Sequence, residues 1–162
     1  MNGGKEARAE YCLSGFRGSA LLAIRLAAAS GDLTDKAGAL AWKSDKDTPY
    51  VPSPLLAEGR LYYFKGNDAM LACVEAATGK ALFGPQVLEG CKGAYASPVA
   101  AAGRVYATGR NGMTLVLKAG AAYEVLASNP LDDSFTASAA LAGADLFLRG
   151  LKSLYCLAEK AE

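Results

Sequence analysis

The sequence predicts an all-β chain, a partial β-propeller of four-stranded antiparallel blades, about three to four in number. Three observations predict it. A motif centred on a serine recurs at Ser53, Ser97 and Ser138, with separations of 44 and 41 residues, close to the ~40–45 residues of one propeller blade. Each copy places a glycine, Gly59, Gly103 or Gly143, between a short apolar run and a second run that ends in an aromatic residue, which is the pattern of a β-hairpin. The runs are apolar on both faces, so one such sheet is not stable alone and the copies must stack face to face around an axis.

Residues 1–47 are read as a partial leading blade with an expanded loop. Ala20 to Ala29 is alanine-rich enough for a helix by propensity. The repeat instead makes Leu21 to Leu26 a third strand and Ala39 to Trp42 a fourth, separated by the loop Ser30 to Gly38. Residues 48–91 form the next blade. Its first hairpin is Tyr50-Val51-Pro52-Ser53-Pro54-Leu55-Leu56-Ala57-Glu58-Gly59-Arg60-Leu61-Tyr62, its third strand is Met70 to Val74 after the turn Gly66-Asn67-Asp68, and its fourth follows Ala76-Ala77-Thr78-Gly79-Lys80 as Ala81-Leu82-Phe83. Residues 92–131 repeat the plan from Ala94-Tyr95-Ala96-Ser97-Pro98, with strands at Met113 to Leu117 and Tyr123 to Ala127. Residues 132–162, entered at Phe135-Thr136-Ala137-Ser138 and turning at Gly150, make a closing blade that stops after its third strand, Leu154 to Leu157, and lacks its last. Glycine serves at the hairpin turns because tight connections need positive φ, which a side chain makes costly.

Composition narrows the chemistry. Seventeen Lys and Arg against sixteen Asp and Glu give a net charge of +1, so there is no electrostatic footprint for nucleic acid. No apolar run reaches the ~18 residues of a membrane span. Arg25 interrupts Ala20-Leu21-Leu22-Ala23-Ile24 below the ~7 residues that a signal peptide core requires, so this stretch is read as mature structure. The chain has no histidine, which removes Ser-His and Cys-His nucleophile pairs and the usual zinc ligand sets. Its four cysteines, Cys12, Cys73, Cys91 and Cys156, are too scattered for a CxxC pair. Cys73 and Cys156 lie in apolar runs, where a cysteine packs as a small hydrophobe.

The segment Ala76-Ala77-Thr78-Gly79-Lys80-Ala81-Leu82-Phe83 resembles the repeat of pyrroloquinoline-quinone-type propellers, whose turn reads roughly Asp-Ala-x-Thr-Gly-Lys-x-x-Trp, with Phe83 in place of the tryptophan. The similarity extends from about Gly15 to Leu157. It implies that Phe83, and Trp42 in the preceding copy, dock between neighbouring blades, with Gly79 in the joining turn. The quinone-dependent dehydrogenases of this family carry adjacent cysteines and a calcium set of Asp, Asn and Glu. Neither is found at matching positions here, so no cofactor and no catalytic residue are assigned.

Among candidate contacts, Tyr50, Tyr95 and Phe135 precede the first strand of their copies and stand near one mouth of the central channel, either packing between blades or meeting a partner. Asp32 and Asp35, and Asp132-Asp133, lack the remaining ligands of a calcium loop and are read as solvated turns. Arg60 and Arg104 recur after the turn glycines and are read as structural. The expected function is a non-catalytic propeller module in protein interaction or scaffolding, a fragment of a larger propeller, with self-association into a homodimer through exposed blade faces. The alternatives are a fragment of a quinone-dependent dehydrogenase and a carbohydrate or small-ligand binder. The resemblance implies an extracytoplasmic bacterial setting, periplasmic or secreted, for the parent protein.

Overall fold

A computed structural model of the chain describes residues 9–14, 20–36 and 38–158. Among the described residues fourteen strands form four antiparallel sheets, and within each sheet a strand pairs with its neighbours in sequence. The first sheet is β1 (Ala9–Ser14), β2 (Ala20–Arg25) and β3 (Leu40–Ser44). The second is β4 (Leu55–Ala57), β5 (Arg60–Lys65), β6 (Met70–Glu75) and β7 (Ala81–Val87). The third is β8 (Val99–Ala101), β9 (Arg104–Thr108), β10 (Met113–Lys118) and β11 (Val125–Pro130), and the fourth β12 (Ala140–Ala142), β13 (Asp145–Arg149) and β14 (Leu154–Leu157). The architecture is all-β, and the four sheets make an unclosed propeller.

The hairpin turns divide into two kinds. Glu58 and Gly59 have φ of 49° and 72°, and Ala102 and Gly103 have 49° and 70°, so both central residues are left-handed, as a type I′ turn requires. In the fourth sheet glycine comes first, at Gly143 with φ 62°, the place it takes in a type II′ turn.

Boundaries differ from the sequence reading at several strands. β1 was not anticipated, although it pairs along its whole length with β2, from Ala9 opposite Arg25 to Ser14 opposite Ala20. Leu26, expected to end a strand, begins a 3-10 turn over Leu26–Ala28. The Arg25 N–H closes the ladder onto the Ala39 carbonyl at 2.8 Å, and Leu26 beyond it is left exposed. β11 starts at Val125, leaving Tyr123 outside the strand to set its ring against Phe83, 5.7 Å between centroids.

Cross-strand registers build one aromatic row per sheet on the face turned to the following blade. The rows are Tyr11–Ala23–Trp42, then Tyr62–Cys73–Phe83, then Tyr106–Val116–Ala127, and finally Phe147–Cys156. Between the first two sheets, Leu21, Leu61, Tyr63, Ala72 and Val74 are buried with Tyr11, Leu13 and Trp42 against them. Between the second and third, Tyr62, Phe64, Leu71, Cys73, Val105, Ala107, Leu115 and Leu117 form the largest buried cluster. Each large apolar side chain among these contributes roughly 1.5–3 kcal/mol when removed from water, which explains why these sheets stack. The third row has Ala127 where the first two have Trp42 and Phe83, and a cleft of about 620 Å³ lies between the third and fourth sheets, lined by Tyr106, Val116, Leu146, Leu148 and Leu157.

Candidate functional site

The segments entering the third and fourth blades are held by main-chain bonds to the blade before. The Ala94 N–H donates to the Asn67 carbonyl at 3.0 Å and the Phe135 N–H to the Arg110 carbonyl at 3.1 Å. Isolated bridges join Pro49 to Gly66 and Phe135 to Gly150 within a blade. Further along, the Ser53 N–H donates to Ser97 Oγ and the Ser97 N–H to Ser138 Oγ, each at 2.9 Å. The serines that mark the period are therefore the pins linking successive blades, a role the period alone did not reveal.

These ties put Tyr50, Tyr95 and Phe135 at equivalent places but in different surroundings. Tyr95 is half-buried, and the exposed Arg110 lies with its guanidinium carbon 4.4 Å from the ring centroid, within the range of a cation–π contact. Tyr50 is likewise half-buried. Phe135 is 0% exposed and packs on Tyr155 at 5.7 Å, so its reading as a mouth contact is corrected: in this chain it is core. Arg110 carries no assignment from the sequence, because its neighbour across the mouth lies fifteen residues back along the chain.

Trp42, Phe83 and Gly79 lie at the blade joints. The Trp42 Nε1–H donates to the Ala76 carbonyl at 2.8 Å, and Tyr11 OH donates to the same oxygen at 3.1 Å. The indole covers Gly79 so closely that a Cβ there would sit 2.7 Å from Trp42 Cδ2. One joint on, the Gly120 N–H donates to Tyr62 OH at 2.8 Å and Tyr62 OH donates to the Gly120 carbonyl at 3.1 Å. Burial pushes the Tyr62 hydroxyl up from its usual pKa, so it stays protonated and serves both bonds. Tyr62→Phe is expected to cost about 1–2 kcal/mol in urea unfolding, since both bonds are lost while the packing is kept.

The acids divide. Asp32 accepts from the Thr34 hydroxyl at 2.7 Å and the Thr34 N–H at 2.9 Å, and these bonds hold its exposed carboxyl below the usual range. Asp133 corrects the solvated-turn reading: it is buried, and its carboxylate accepts from the N–H groups of Ser134, Lys152 and Ser153 and from Tyr155 OH at 2.7–3.2 Å. Burial pushes its pKa up, but these bonds outweigh it and the net shift is downward. Gly150 packs on the same carboxylate, where a Cβ would collide with it. Asp132 remains exposed, with Lys152 Nζ at 3.3 Å. Arg60 donates to the Glu58 turn carbonyl at 3.3 Å, and Arg104 lines the cleft beside the fourth sheet.

All four cysteines are free. Burial raises the Cys73 thiol to about 11 and raises Cys91 as well, so neither is poised as a thiolate. Cys156, read as packed, is exposed: among the described residues no sheet packs on the face it shares with Phe147.

This arrangement of stacked antiparallel sheets of three and four strands defines the chain as a β-propeller module. No family model and no curated protein sequence matches it. Among solved structures it is similar to BamB from Moraxella catarrhalis, with a TM-score of 0.64 at 14% identity over 87% of this chain and 40% of that one. It is also similar to a europium-containing methanol dehydrogenase, with a TM-score of 0.56 at 17% identity over 75% and 23% of the two chains. The computationally designed Ika4 protein has a TM-score of 0.61 at 12% identity over 95% and 94%. The chain therefore spans less than half the length of BamB and about a quarter of the dehydrogenase. At these identities the likeness establishes the fold.

Proposed function

We propose that the chain is a non-catalytic, quinoprotein-like propeller module that binds a protein partner at the mouth formed by its entry segments, in an extracytoplasmic setting. The observation that carries this reading is the half-buried Tyr95 under the exposed Arg110 guanidinium, with Tyr50 at the equivalent place one blade earlier. Tyr and Arg are the side chains most enriched at binding hot spots, and main-chain bonds to the neighbouring blade hold these two in place, so little freedom is lost on docking. The low thiolate character of Cys73 and Cys91 and the structural engagement of Asp133 favour contact chemistry over catalysis.

The test is site-specific photocrosslinking in the producing cells from a probe at Tyr50. Tyr95→Ala and Arg110→Ala should each cut the captured partner at least about tenfold, the effect of losing roughly 1.4 kcal/mol, with the melting curve unchanged. Undiminished capture by both variants would overturn the assignment of this mouth. A saturable absorbance change on titration with pyrroloquinoline quinone and calcium would favour the dehydrogenase-fragment reading instead. The cleft over Tyr106 and Leu146 favours a second reading as a small-ligand binder, since it is concave and mainly apolar with a few polar groups, as ligand sites are. Under that reading a ligand would protect Leu146 and Leu157 from hydrogen exchange and leave Tyr95 unaffected.

A further inference from the structure

Every inner joint of this molecule has two unlike halves. One blade offers its aromatic row, and the next answers with the opposite face of its sheet: Leu61, Tyr63 and Val74 meet the row of Tyr11 and Trp42, and Val105, Ala107 and Leu117 meet that of Tyr62 and Phe83. Among the described residues one half of each kind is left over. The fourth sheet turns Phe147 and Cys156 away from the third, with Leu154, 67% exposed, on the same face. The first sheet turns Leu22, Ile24 and Leu40, the last 43% exposed, away from the second, and these line a groove of about 630 Å³ under the loop of Asp32 and Lys36. Cys12 belongs to that outer face, because Tyr11 and Leu13 on either side of it point to the second sheet.

We propose that two copies of the chain associate head to tail, the closing face of each docking on the leading face of the other as a continuation of the inner joints. The two faces are the two halves of one joint, so the closing face of one copy fits the leading face of another. Two copies supply twice the four sheets of one chain, within the ~4–8 blades at which propellers close. A ring built this way is heterologous and closed, which stops growth at two. The inference is independent of what binds at the mouth.

The repeat also predicts a specific neighbour pair. Cys156 stands opposite Phe147 as Cys73 stands opposite Tyr62, and Cys12 follows Tyr11 in β1 as Ala107 follows Tyr106 in β9. Cys73 and Ala107 share one buried cluster. The joint between copies therefore sets Cys156 of one beside Cys12 of the other.

Light scattering on the eluted protein should give twice the 16.7 kDa of one chain. Mild oxidation with diamide, which takes the two thiol electrons and protons, should yield a Cys12–Cys156 linkage between chains by peptide mass spectrometry. Cys12→Ser and Cys156→Ser should each abolish that linkage while the unoxidised protein keeps its doubled mass. Leu40→Glu and Leu154→Glu, both at exposed positions, should weaken association at least about tenfold. A monomer throughout the micromolar range would overturn the proposal. Linkages of Cys12 to Cys12 or Cys156 to Cys156 would do so too, by showing that like faces meet, and a concentration-dependent ladder of larger species would overturn ring closure.

Discussion

Replacing Gly79 with valine should lower the stability of the chain by about 2–6 kcal/mol, the sum of two costs of roughly 1–3 kcal/mol each. Gly79 has φ of 72°, a conformation that a β-branched residue adopts only under strain. Its added side chain would also meet the Trp42 ring, with Cβ at 2.7 Å from Cδ2, forcing the indole out of the joint and breaking its bond to the Ala76 carbonyl. Gly59 is an internal control. It has the same φ of 72°, but nothing lies within 4 Å of a Cβ there, so Gly59→Val should carry the backbone cost alone, about 1–3 kcal/mol. Urea unfolding of the two variants separates the terms. In a Trp42→Ala background the two substitutions should cost nearly the same, since only contacting residues couple; a difference that survives there would refute the steric account.

Asp133→Ala should be the most damaging change in the closing blade. It leaves the N–H groups of Ser134, Lys152 and Ser153 and the Tyr155 hydroxyl without their acceptor, and such orphaned donors keep the full penalty of desolvation. The loop carrying Lys152 and Ser153 should open, read as a melting temperature several degrees lower and faster proteolysis near residue 152. The same carboxylate makes an acid-dependent prediction. Its folded pKa lies below the ordinary 3.8, so its contribution is fully present above that value and is lost as pH falls through the lower folded value, where the protein must take up a proton to unfold. Wild type should lose stability below pH 3.8 more steeply than Asp133→Asn, which has no proton to take up at that position. Parallel acid profiles for the two proteins would show that the carboxylate charge is not what holds the loop.

The hairpins, the period and the aromatic docking positions were readable in the residues because their causes are local. A glycine with positive φ must stand where two strands turn tightly, and Gly59 and Gly103 do so within a few residues of the runs they join. β1 escaped notice because Ala9–Ser14 lies upstream of any recognisable copy of the motif. The roles of Arg110, Asp133 and the three serines escaped for another reason. Their partners are Tyr95, the loop at Lys152 and Ser153, and the serines of adjacent blades, all brought near only when the sheets stack. Nothing in the sequence near Phe135 distinguishes it from Tyr50 and Tyr95, yet it is core and they are half-buried.

By itself the amino-acid order determined a succession of antiparallel, doubly apolar hairpin sheets, since alternation and turn geometry act over a dozen residues. Tertiary structure alone decided which of those sheets keep an open face, and so why Cys73 is inert in the core while Cys156, in the corresponding place, meets solvent. Burial is conferred by whatever packs against a strand, and that neighbour is specified elsewhere in the chain or in another molecule.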